Sequence, residues 1–185
     1  MDRKAFGIVS LLEINTDVTS GHLWNRVAEV IKPTGLELPA NPHFSWQVAE
    51  DYMVKDTLEE LKAIIKGLQP FRIRISGLGI FPGIHPVIYL TVVRDRILTD
   101  IHSMLWDRCI SYAIKPSPYY SPEHWVPHVT IAYIDLTPEK VSILVKEMAN
   151  QPWDADLEIE NISLAYQNGD DAGISATLNI PNGVV

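Results

Sequence analysis

Two five-residue segments of this chain follow one pattern, Pro42-His43-Phe44-Ser45-Trp46 and Pro127-His128-Val129-Thr130-Ile131, and that pattern dictates a local structure. Polar and apolar positions alternate with a period of two, as in a strand with one face buried and the other polar. His43 and Ser45 therefore project to one side, with Phe44 and Trp46 on the other. The same parity puts His128 and Thr130 together, with Val129 and Ile131 behind them. The preceding proline restricts how the chain enters each strand. The expectation is two histidine-hydroxyl pairs, each held rigidly by large apolar anchors, as a catalytic pair requires.

The rest of the chain reads as alternating strands and helices. Apolar runs and alternation predict strands at 6–13, 43–49, 71–75, 87–93 and 128–134, and a final hairpin from 157–166 and 173–180 around Gln167-Asn168-Gly169-Asp170-Asp171. Thr16 to Gly21 supplies turn and cap residues before the first helix. Helical spacing of apolar residues predicts helices at 22–31, 56–68, 94–110 and 138–151, the last opened by Thr137-Pro138-Glu139. Between the third helix and the second motif, Pro116, Pro118, Pro122 and Pro127 with Tyr119, Tyr120, His124 and Trp125 describe an ordered aromatic loop. This is an α+β order with a suggestion of two similar halves. A chain of 185 residues with 46% apolar residues buries one sizeable core, so residues 1–185 are expected to be a single domain.

The matched motifs carry chemistry. An unperturbed histidine titrates near pH 6.5, so two of them hold opposite protonation states at neutral pH, one accepting a proton and the other donating one. Displacement at a phosphodiester requires this, together with hydrogen-bond donors on the non-bridging oxygens. His43 and His128 are the candidate catalytic residues; Ser45 and Thr130 are the candidate phosphate donors. Arg72, Arg74 and Tyr89 lie on polar strand faces, open either to a phosphate cleft or to solvent, and Thr91 shares the face of Tyr89. Tyr119, Tyr120 and Trp125 are suited to stacking on a nucleobase or to packing their loop, and His124 lies beside them.

The motifs resemble those of the 2H phosphoesterase superfamily, which includes 2'-5' RNA ligase-like proteins and several cyclic nucleotide phosphodiesterases. The second motif is close to that family's pattern, and the first has Ser where Thr is commoner, a change that keeps the hydroxyl. The resemblance implies a bilobal α+β fold with two antiparallel β-sheets related by a pseudo-twofold around a central cleft, and helices on the outer faces. It implies hydrolysis of 2',3'-cyclic phosphates or 2',5' linkages without metal or other cofactor, and leaves open which histidine is the acid. A non-catalytic nucleotide or RNA-end binding module and an RNA-end ligase are the alternatives.

Composition narrows the partners. The net charge of -8 disfavours a long duplex nucleic acid, whose binding rests on clustered Lys and Arg, and leaves a nucleotide or short RNA end. Cys109 is the only cysteine, so no internal disulfide forms and a buried apolar role is expected for it. His22, His85, His102 and His124 lack the motif, and no histidine pair has the close spacing of zinc ligands, so no metal site is expected. No apolar run reaches the ~20 residues of a membrane span. A cytoplasmic monomer without membrane contact is the resulting expectation.

Overall fold

The computed structural model describes residues 4–12, 18–39, 41–169 and 171–182. Its strands and helices are β1 (Lys4–Leu11), α1 (Val18–Ile31), β2 (His43–Tyr52), α2 (Val54–Ile65), β3 (Phe71–Phe81), β4 (Val87–Val92), α3 (Arg96–Cys109), β5 (Ala113–Pro116), β6 (His128–Ala132), α4 (Pro138–Met148), β7 (Asp154–Ile159), β8 (Asn161–Asn168) and β9 (Asp171–Asn179). Side chains close two of the helix starts. The Asp95 carboxylate accepts from the Leu98 amide at 2.7 Å at the head of α3, and the Thr137 hydroxyl accepts from the Lys140 amide at 3.3 Å at the head of α4.

Four elements depart from the reading of the sequence. α1 begins at Val18, so residues 18–21, read as turn and cap, are helical. β3 runs on past Ile75 through Gly77 and Gly79 to Phe81, although glycines ordinarily weaken a strand. The stretch 157–166 is not one strand: the chain breaks at Glu160 into β7, which pairs with β3, and β8, which pairs with β1. β5 is a four-residue strand at the start of the proline-rich segment, paired with β2. Glu13, Thr16 and Asp17 of the first strand and turn, and Asp170 of the last turn, lie outside the described residues.

The strands are antiparallel and form one curled sheet, a half-barrel, in the order β7-β3-β4-β6-β2-β1-β8-β9, with β5 beside β2. The resemblance implies two separate sheets; the pairing joins them into one. The junction is narrow, because β2 and β6 pair at a single position, Phe44 with Val129. Within each half the pairing is extensive, as in β1 with β2 and β4 with β6.

Helices cover the face that carries Phe44, Trp46, Val129 and Ile131. α3 packs on β2, α2 on β8 and β9, and α1 on β7 and α4. Phe44, Val129 and Ile131 are fully buried, in a core that also takes in Trp24, Leu61, Leu105, Leu164 and Cys109. Each large apolar side chain removed from water in this way contributes about 1.5–3 kcal/mol. No described helix is long and apolar enough to cross a membrane.

A titratable side chain, His102, sits deep in this core. His102 of α3 is fully buried; its Nε2–H donates to the Trp46 carbonyl at 3.1 Å, and its ring stacks on Trp125 with centroids 3.7 Å apart. Its Nδ1 has no hydrogen-bond partner. Burial pushes its pKa down from 6.5 to about 4, with the Trp46 hydrogen bond opposing the shift.

This makes stability pH-dependent in a defined direction. The unfolded chain takes up a proton at this histidine below pH 6.5 and the folded chain does so only near 4, so the contribution is complete above 6.5 and is lost as pH falls toward 4. Urea denaturation at pH 7.5 and 4.5 should show the advantage of wild type over His102→Gln shrinking by about 2–3 kcal/mol at the lower pH. An advantage independent of pH refutes the assignment.

Candidate functional site

The single pairing of Phe44 with Val129 sets the geometry of the site. Extending that antiparallel register by one residue each way brings His43 opposite Thr130 and Ser45 opposite His128. All four side chains project from the face opposite the buried Phe44 and Val129. Phe44 is held by edge contacts with Trp46 at 4.8 Å and Trp125 at 5.5 Å, so the floor beneath the seam is rigid aromatic packing.

The two imidazoles are oriented identically. His43 Nδ1–H donates to the Asn41 carbonyl at 2.9 Å, and His128 Nδ1–H donates to the Val126 carbonyl at 2.7 Å, in each case the residue before the proline. Each proline carbonyl is in turn fixed by the neighbouring strand segment: Leu12 N–H donates to Pro42 at 2.9 Å and Val92 N–H to Pro127 at 3.2 Å. The bond at Nδ1 selects the tautomer and leaves Nε2 as the free edge of each ring. The rings are also close enough to feel one another. Burial lowers the pKa of His128, the Val126 bond opposes this, and the charge of His43 lowers it further.

His128 stands against an aromatic wall. Its ring meets Phe81 at 4.9 Å and Tyr89 at 5.1 Å, and those two rings stack on each other at 4.2 Å. Tyr89 is in register with Thr130 on one side and Gly79 on the other, and Thr91 is opposite His128. Burial raises the pKa of the Tyr89 phenol. The glycine has a reason: a Cβ at Gly79 would lie 2.3 Å from the Tyr89 ring, which covers that position. Strand parity alone places Phe81 and Tyr89 on the histidine face once β3 is known to extend that far; ending β3 at Ile75 hid it.

The remaining candidates divide. Tyr120 packs against the core, and burial raises the pKa of its phenol. Tyr119 is 79% exposed, and exposed His124 is bonded through Nδ1 to the Ser121 hydroxyl at 3.0 Å. Trp125 is buried and packs its loop onto the body, its indole N–H donating to the Ser45 carbonyl at 3.1 Å. Arg72 and Arg74 lie on the polar face of β3 beside the acidic row of β7: Arg74 pairs with Asp154 at 3.0 Å and Arg72 is opposite Glu158. The structure brings together His43, Ser45, His128, Thr130, Tyr89 and Tyr120; the two arginines lie at the start of β3, next to the edge strand β7. Among the described residues no group of three or more His, Cys, Asp or Glu side chains is arranged to hold a metal ion. Cys109 is buried and its thiol is pushed up to about 12 by burial, so it is unreactive.

Comparison with known proteins agrees with this architecture. A family profile described as the 2'-5' RNA ligase superfamily matches residues 18–171. OB1230 of Oceanobacillus iheyensis, provisionally named a phosphoesterase, is 27% identical over 119 residues. That match covers 64% of this chain and 65% of that protein, just under two thirds of its length. Among solved structures, TT0787 of Thermus thermophilus superposes with a TM-score of 0.65 at 13% identity, covering 96% of this chain and 98% of that one. Escherichia coli LigT, solved with ATP, gives 0.56 at 11% identity over 96% and 99%. Usb1 of Kluyveromyces marxianus, solved with uridine monophosphate, gives 0.50 at 12% identity over 96% and 98%. At these identities the structural matches establish the shared fold.

The aromatic wall can be tested without substrate. Gly79→Ala forces the Tyr89 ring away from its position, at about 1–3 kcal/mol of stability. The ring protons of His128 should then move in the NMR spectrum while the β3–β4 amide pattern persists. Unmoved His128 signals would mean that Tyr89 does not pack on it as described.

Proposed function

Because the chain belongs to the 2'-5' RNA ligase superfamily, we propose that it is a phosphodiesterase of the 2H type that hydrolyses 2',3'-cyclic phosphates or 2',5' linkages on nucleotides or short RNA ends. The observation that carries this reading is the matched orientation of the imidazoles, each with Nδ1–H on a backbone carbonyl and Nε2 free, beside a hydroxyl and across from the other motif. One Nε2 takes a proton from the attacking water and the other returns one to the departing ribose oxygen. The Ser45 and Thr130 hydroxyls donate to the non-bridging oxygens, where negative charge develops. This sequence of steps uses protein groups alone and draws on no metal.

The surroundings of the histidines favour an assignment of roles. His128 is desolvated by its aromatic neighbours, which lowers its pKa from the ordinary value and suits it to act as the base. His43 is then the acid. The two motifs, each fixed through a proline carbonyl to an adjacent strand segment, read as pseudo-twofold partners within one domain spanning 1–185. The net charge of -8 favours hydrolysis of short ends over joining of long RNAs. Tyr89 and Tyr120 border the same face and are the candidate substrate contacts.

The test is turnover of 2',3'-cyclic nucleotides and 2'-5' oligoadenylate by purified protein in chelator, with product identification. His43→Ala and His128→Ala should each lower kcat/KM by roughly 10²–10⁴-fold, and Ser45→Ala or Thr130→Ala by about 10²-fold. Because the base must be unprotonated, activity should fall as pH drops through a value below 6.5. Wild-type turnover in either histidine variant removes that residue from the mechanism, loss of activity in chelator removes the metal-free route, and saturable binding without product supports a binding module instead.

A further inference from the structure

The segment that delivers His128 to the seam is gripped from outside the motifs. Three successive carbonyls of 125–127 each have a different partner. Trp125 accepts from the Arg94 guanidinium at 3.0 Å, Val126 from His128 Nδ1–H at 2.7 Å, and Pro127 from the Val92 amide at 3.2 Å. The same guanidinium donates to the Pro122 carbonyl at 2.6 Å and lies 5.7 Å from the centre of the Trp125 ring. That ring reaches the other motif, since its N–H donates to the Ser45 carbonyl at 3.1 Å and it packs against Phe44, Trp46 and His102. Arg94 lies two residues past the end of β4.

We propose that Arg94 is a positioning residue, a two-carbonyl clamp that fixes the peptide holding His128 in its tautomer and, through Trp125, fixes Ser45 of the opposite motif relative to it. The planar guanidinium fork spans two carbonyls and lies against an aromatic ring at once, which an ammonium does not do. Without the clamp, the Trp125 and Val126 peptides are free to rotate. The Val126 carbonyl then no longer aims at Nδ1, and the imidazole samples the tautomer that blocks its Nε2. The device is one-sided: His43 has the carbonyl of Asn41 and the Leu12–Pro42 bond as its counterparts.

The catalytic consequence rests on the proposed phosphodiesterase reading, but the structural one does not, so the experiment separates them. Nitrogen-15 NMR of the histidine rings in wild type should give the Nδ1–H tautomer at His128. Arg94→Ala, and Arg94→Lys as the milder change that keeps the charge, should give a mixture of tautomers there, with Arg96→Ala as the control that stays like wild type. With a 2',3'-cyclic nucleotide, kcat should fall roughly 10- to 100-fold in Arg94→Ala, and less in Arg94→Lys, with KM within about twofold. An unchanged His128 tautomer in both Arg94 variants overturns the clamp whatever the activity does. A tautomer shift in protein that turns over no phosphodiester keeps the clamp and removes the reaction.

Discussion

The contact of Phe44 with Val129 is the point on which the site depends. It is where the two halves of the sheet pair, and it lies directly behind both histidine-hydroxyl pairs. Both residues are fully buried, and Phe44 is locked by Trp46 and Trp125. A single backbone pairing would be weak by itself. The aromatic floor makes it a fixed distance, because close-packed interiors do not deform continuously. Helices cover the far side of that floor and leave the polar side of the seam for chemistry.

Local covalent structure solves the orientation of each ring, and tertiary packing makes the two rings unlike. The residue-proline-histidine order puts a carbonyl where Nδ1–H can reach it, so both imidazoles start from the same tautomer. Around His128 the sheet then adds Phe81 and Tyr89, with Gly79 leaving room for the tyrosine ring. Desolvation there lowers its basicity. Packing thereby tunes the proton affinity of one imidazole, as acid-base chemistry exploits.

Much of this was legible in the primary structure, and the failures have a common physical origin. Strand parity placed His43, Ser45, His128 and Thr130 on polar faces, and Thr137-Pro138 marked the start of α4. Gly77 and Gly79 read as the end of a strand, since glycine's backbone freedom is a local property; the ring that fills the space above Gly79 comes from β4. Clean alternation correctly put Arg72 and Arg74 on a polar face. It could not say that β7, about 80 residues away, would set Asp154 against Arg74. Arg94 gave no signal at all, because its partners are backbone carbonyls and every residue has one.

The sequence by itself determined which side chains alternate, where prolines precede histidines, and hence that two rigid histidine-hydroxyl strands exist. Those are consequences of dihedral restriction and a period of two, which act within a few residues. That the two strands meet, in the register that sets His43 opposite Thr130 and Ser45 opposite His128, was decided only in the folded molecule. Pairing between segments so far apart in the chain is chosen by burial of Phe44, Val129 and their neighbours, a sum over residues that no local pattern contains.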